Sequence, residues 1–189
     1  LVIDDAHRAG LAELCRIARR AHREQYGGAD ELVIGFQLTH SGRFCRTREN
    51  QPPEPRVAYR HPLLDRKFGV SVDAQVMTDT EVESLIGEYA AAARIAAEAG
   101  ADFVDLKHCH GYLLHEFLGA HMRPGRYGGS FENRTRILRE LVAAIRTSGT
   151  RIDLGVRLSA FDCVPFKPDP AGSAPGKPGP GVPEDFSGC

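Results

Sequence analysis

Residues Asp102–Leu138 read DFVDLKHCHGYLLHEFLGAHMRPGRYGGSFENRTRIL. A short, mostly apolar run of strand length, Phe103–Leu106, stops abruptly at Lys107, His108, Cys109, His110 and Tyr112. Proton donors and acceptors therefore collect where a strand hands over to a loop. In (β/α) proteins that edge carries chemistry, because the strand fixes the backbone while the loop presents side chains. The pattern recurs twice. Leu32–Leu38 (LVIGFQL) runs into Thr39, His40, Ser41 and Arg43, and Ile152–Leu158 (IDLGVRL) runs into Ser159 and Asp162. Three strands with polar C-terminal ends suggest one shared site.

Helical patterns separate these runs. Asp5–Arg23 carries Leu11, Leu14, Cys15, Ala18 and Ala21 at helical spacing, and Gly27-Gly28 closes it. Thr78-Asp79-Thr80-Glu81 is a capping box. The helix it opens has a stripe of Val82, Leu85, Ile86, Tyr89, Ala93 and Ala96 and stops at Gly100. Leu113–Leu118 is a short helical piece, followed by the loop RPGRYGGS. Ser130 is a candidate N-cap for a helix over Phe131–Arg146, with a core stripe of Leu138, Leu141, Val142 and Ile145. His40–Met77 reads as a long connection rich in proline and arginine, and such loops tend to be functional. The order α-β-α-β-α-β predicts parallel strands with crossover helices. An open flavodoxin-like sheet and a barrel both fit. Long loops at the strand ends, and no GxGxxG after a strand, favour the barrel.

Composition excludes several classes. A formal net charge of -1 with no basic cluster argues against nucleic-acid binding. The apolar runs are far short of a membrane span, and LVIDDAHRAG lacks a signal peptide's charge-then-apolar order. Cys15, Cys45, Cys109, Cys163 and Cys189 are scattered, with no CxxC. Reduced thiols in a cytoplasmic setting are expected. Val164–Cys189 holds seven prolines and five glycines, which cannot continue a regular element, and reads as a loop or a disordered end. Together with the non-methionine Leu1, this suggests a piece of a longer protein.

Several side chains carry candidate chemistry. His108, Cys109, His110 and His115 raise a zinc site, but adjacent residues at a strand end alternate in direction, so no metal is expected. Tyr112 is a candidate proton donor, since a phenol with a reference pKa of about 10 stays protonated at neutral pH. The competing reading is a core tyrosine at a helix start. His110 can donate to a substrate oxygen, and Lys107 adds a cation to the same loop, as an oxyanion-stabilising pair would. Gln37 and Arg157, near the ends of two other strands, suit the pyrimidine edge of a flavin. For Arg157 an ion pair with Asp105 is the alternative. RYGGSFENRTRIL reads as architecture, with Asn133, Arg134 and Arg136 anchoring a helix.

Three segments resemble the old yellow enzyme family of FMN-dependent NAD(P)H oxidoreductases. Gln37–Arg43 (QLTHSGR) resembles its QLxHxGR stretch. Asp105–Leu118 with Tyr127–Arg134 resembles its HxxHGYLxxxFL…YGGSxENR signature, and Gly155–Ser159 resembles its VRLS strand. The resemblance implies an α/β fold: a partial (β/α)8 TIM barrel, roughly strands 3–5 with their helices, over residues 1–163. It implies FMN as cofactor, NAD(P)H as reductant and a small-molecule substrate. Homo-oligomerisation of the full-length protein stays open. Gln37 and Arg157 would match the flavin-binding glutamine and arginine, His110 the second histidine of the carbonyl-binding pair, and Tyr112 the proton donor. Hydride would pass through the flavin to the β-carbon of an activated alkene. Lys107 stands where the family has its first histidine, which points to a more anionic substrate or added stabilisation of reduced flavin. Amine dehydrogenation or demethylation, as elsewhere in the superfamily, is the alternative activity. A truncated, non-catalytic piece is the other, and on its own the piece is expected to be inactive.

Overall fold

The computed structural model describes residues 3–46, 51–160, 166–167 and 182–183. Asp162 and most of Val164–Cys189, discussed above, lie outside the described residues. The chain divides into two compact units, Leu1–Leu158 and Ser159–Cys189. In the second, β4 (Phe166–Lys167) pairs antiparallel with β5 (Val182–Pro183).

The first unit is an α/β fold built on a small parallel sheet. Strands β1 (Gly35–Leu38), β2 (Phe103–His108) and β3 (Asp153–Leu158) lie side by side in sequence order. Gly35 pairs with Phe103, Phe103 with Asp153, and Lys107 with Arg157. The strand expected from Leu32 begins only at Gly35. The reason is Asp102, whose Oδ2 accepts from the Ile34 N–H at 2.7 Å and replaces a ladder partner. Arg19 of α1 (Arg8–Tyr26) holds that carboxylate in place at 2.9 Å.

Burial on β2 alternates. Val104, Leu106 and His108 are buried, while Phe103, Asp105 and Lys107 are partly exposed. The buried face packs on α3 (Asp79–Glu98), whose Val82, Leu85, Ile86, Tyr89, Ala93 and Ala96 form the expected stripe. The Thr78 capping box is formed, with Glu81 N donating to Thr78 Oγ1 at 3.2 Å and Thr78 N to Glu81 Oε2 at 2.8 Å. A cap is worth about 1 kcal/mol, whereas each fully buried Val or Leu contributes roughly 1.5–3 kcal/mol. The cap sets where α3 starts; packing holds it.

The single helix expected over Phe131–Arg146 is two, α5 (Phe131–Arg134) and α6 (Arg136–Thr147). Thr135 breaks it by turning its hydroxyl back onto the carbonyls of Phe131 and Glu132, at 3.0 and 3.2 Å. The break shifts the phase, so Ile137, Leu141 and Ile145 are buried while Leu138 and Val142 are only partly so. The long connection also has structure of its own. Helix α2 (Pro62–Phe68) opens with Pro62 at its first position and the His61 ring accepting from Leu64 N, and closes on the left-handed Gly69. Val57 and Val76 form an isolated parallel bridge.

Candidate active site

In a parallel pair, residues in register project to the same face of the sheet. One face therefore carries, from bottom to top, Gly35 beside Phe103, Gln37 beside Asp105 beside Gly155, and Lys107 beside Arg157. The Phe103 ring lies across Gly35, where a Cβ would meet ring carbons at 2.2–2.6 Å. Only a glycine leaves room for that ring.

Above it, Gln37 Nε2 donates to Asp105 Oδ2 at 2.7 Å. An ionised carboxylate accepts only, so it fixes which end of the carboxamide faces it. The ion pair considered for Arg157 is not formed: Asp105 is engaged by Gln37, and Arg157 is exposed. At the top of β2, Lys107 Nζ stands 3.5 Å from the centroid of the Tyr112 ring. Tyr112 also leans on Phe44, with ring centroids 5.4 Å apart, and is only half-buried. The core-tyrosine alternative is thus not what the structure shows.

The turn between β2 and α4 (Leu113–Leu118) delivers His110 and Tyr112. His110 and Gly111 have φ of 61° and 69°, two left-handed residues in succession. For a histidine this conformation costs on the order of 1 kcal/mol, and such outliers persist where the surroundings over-determine them. His110 is exposed at this turn, whereas His108 points the other way into the core and is 0% exposed. Among the described residues no three His, Cys, Asp or Glu side chains gather to hold a metal.

The loop after β1 locks onto this turn. The Leu113 N–H donates to the His40 carbonyl at 3.2 Å, and His40 Nδ1 accepts from Gly42 N at 3.1 Å. Burial, with Arg56 nearby, keeps the His40 imidazole below the usual histidine range. Gly42 has φ 61°, and a Cβ there would sit 2.8 Å from Leu113 N. Arg43, 2% exposed, then reaches into the interior, pairing with Asp65 of α2 and Glu116 of α4 and donating to the Tyr59 carbonyl at 2.6 Å. Sequence reading missed this cluster. Its signal is Glu116 itself, a carboxylate inside the apolar stretch LLHEFL.

The YGGSFENR segment is architectural, as read. Ser130 caps α5, Arg134 donates to the carbonyls of Leu118 and Gly129, and Arg136 Nη2 donates to Asn133 Oδ1 at 2.8 Å. No helix among the described residues is long and apolar enough to cross a membrane.

Comparison with known proteins bears on this arrangement. A family model described as NADH:flavin oxidoreductase / NADH oxidase family matches residues 27–171. An NADPH dehydrogenase from Clostridium acetobutylicum is 33% identical over 144 residues, covering 75% of this chain and 38% of that protein. A putative 12-oxophytodienoate reductase 4 from Oryza sativa subsp. japonica is 30% identical over 180 residues, covering 91% of this chain and 42% of that protein. Among solved structures, the Old Yellow Enzyme from Pichia sp. AKU4542 superposes with a TM-score of 0.61 at 26% identity, over 84% of this chain and 41% of that one. The chain thus spans about two fifths of the length of these relatives.

Proposed function

Since the chain belongs to the NADH:flavin oxidoreductase / NADH oxidase family, we propose that it contributes the central part of the active site of an FMN-dependent oxidoreductase. In this reading β1–β3 are roughly strands 3–5 of a (β/α)8 barrel, whose sites lie at the carboxyl ends of the strands. The observation that carries it is the shared face on which Gln37 and Arg157 lie at either side of Lys107, with Tyr112 held against the Lys107 ammonium.

The donor set fits a flavin. With one amide N–H turned to Asp105, Gln37 keeps its carbonyl oxygen and second N–H for the donor–acceptor edge of a pyrimidine ring. Arg157 offers a permanent positive charge for that edge when it becomes anionic. Bound FMN supplies transfer of two reducing equivalents from NAD(P)H to an activated alkene, such as an α,β-unsaturated carbonyl compound. The chain's own residues do the rest. His110 and Lys107 bind and polarise the carbonyl oxygen. The Tyr112 hydroxyl gives its proton to the α-carbon, and the stack against Lys107 and Phe44 holds the phenol ready for it. Two cations at the mouth of the site oppose entry of a protonated amine, which favours alkene reduction over amine oxidation.

The test uses protein from the complete reading frame that contains residues 1–189. The expected protein is yellow with bound FMN and oxidises NAD(P)H when cyclohexenone is added. Tyr112→Phe should retain FMN and lose about 10²–10⁴ in alkene reduction, the usual share of a positioned acid. A colourless protein that takes up no FMN would sink the reading. Flavin bleaching by trimethylamine with no enone turnover would replace it with amine oxidation.

A further inference from the structure

Lys107 and Arg157 are Cα partners across β2 and β3. Neighbouring strands lie about 4.8 Å apart, and partners share a face, so two cationic stems leave the sheet side by side. Like charges so placed repel. The carboxylate next to them on this face is Asp105, which already accepts from Gln37 at 2.7 Å. Among the described residues, Lys107 contacts no carboxylate within ion-pair distance; its ammonium rests on the Tyr112 ring at 3.5 Å. A ring face attracts a cation but carries no charge, and it cannot satisfy all three N–H donors of the ammonium. Among the described residues the sheet thus holds a positive charge with no carboxylate paired to it, beside the phenol.

We propose that Lys107 recognises an anionic group, and that the substrate of this site carries a carboxylate near its reducible bond. The proposal deepens the flavin reading and rests on it for one point, that Arg157 is taken by the cofactor and Lys107 is left for the substrate. The chemistry favours such a pairing. An ionised carboxylate withdraws electrons weakly from a conjugated double bond, so an unpaired one makes a poor acceptor. An ammonium against it restores part of that withdrawal and places the adjacent carbon next to Tyr112. A neutral imidazole at this position would hydrogen-bond a carbonyl equally well, but would not select for charge.

The experiment measures binding rather than turnover. Protein from the complete reading frame, with and without FMN, is titrated by calorimetry with trans-cinnamate and with trans-cinnamamide, which differ in charge and hardly in shape. The wild type should bind the carboxylate roughly fivefold tighter, about 1 kcal/mol, the upper end for a part-exposed ion pair. The preference should fall as salt is raised. Lys107→Gln should abolish it by weakening the carboxylate far more than the amide; Lys107→Arg should keep it. Equal binding of the two ligands by wild type overturns the proposal. So does a preference that survives Lys107→Gln, or one that Arg157→Gln removes and Lys107→Gln does not. If Lys107→Gln fails to fold, the salt dependence in wild type and Lys107→Arg still decides. A protein that takes up no FMN yet shows the Lys107-dependent preference retires the flavin reading and supports the anion site. One that binds FMN and shows no preference retires the anion site alone.

Discussion

Arg43 Nε and Glu116 Oε1 stand 2.5 Å apart in the interior, on side chains 1% and 5% exposed. They tie the loop after β1 to α4, and so join the two segments that carry the site. Burial pushes the Glu116 carboxyl up to about 7, while Arg43 and the Ala58 N–H pull it back towards its ordinary value. The folded protein therefore keeps this proton to near neutrality, whereas the unfolded chain releases it near 4.5. Stability from this group is present below 4.5 and is lost as pH rises through 7. Glu116→Gln removes that slope. Urea denaturation should show the variant gaining on wild type between pH 4.5 and pH 7. A constant difference would show that the carboxyl is already ionised in the folded state.

His108 slopes the other way. It is 0% exposed, neither ring nitrogen has a hydrogen-bond partner among the described residues, and burial next to His115 lowers its pKa to about 4. Below 6.5 the unfolded chain takes up a proton that the folded one refuses, so stability is lost as pH falls towards 4. An orphaned buried polar side chain costs about 1–3 kcal/mol. His108→Leu should stabilise the protein by about 1 kcal/mol at neutral pH, and by more in acid. Unchanged acid stability would reject this.

Gly42 is the hinge pin between the same loops. An alanine there meets Leu113 N at 2.8 Å on a backbone with φ 61°. Gly42→Ala should cost about 1–3 kcal/mol in thermal or chemical unfolding. The near-ultraviolet dichroism of Tyr112 and Phe44 should weaken with it. Wild-type stability in the variant would mean that the loops are not locked together here.

Gln37→Leu removes the amide from Asp105 and from the proposed flavin edge. Protein stability should change by less than about 1 kcal/mol, since both groups are partly solvated. FMN affinity should drop about tenfold, as read by flavin fluorescence titration. An unchanged affinity would place the pyrimidine edge elsewhere.

Much of this was legible in the residues. Apolar runs of strand length gave three parallel strands and helical spacing gave the α3 stripe, whereas the alternating burial of β2 was not read from the residues. The strand-end cluster Lys107–Tyr112 stood out because polar groups so rarely crowd the end of an apolar run. Other features depended on partners distant in sequence. Asp102 shortens β1 from 68 residues away, and Asp105 engages Gln37 across the same separation. Thr135 divides a helix through a side-chain bond that no periodicity reports. Arg43, read only as a polar strand-end residue, proved to be a buried strut, since a lone arginine carries no sign of where its carboxylates lie.

The aromatic ring lying over Gly35 gives the proposed pocket a floor. In the proposed reading, a molecule entering from the carboxyl ends of the strands past the amide–carboxylate tier would meet that ring next. The depth available to a guest is therefore set by one missing methyl group and one phenylalanine, neither of which takes any part in the chemistry.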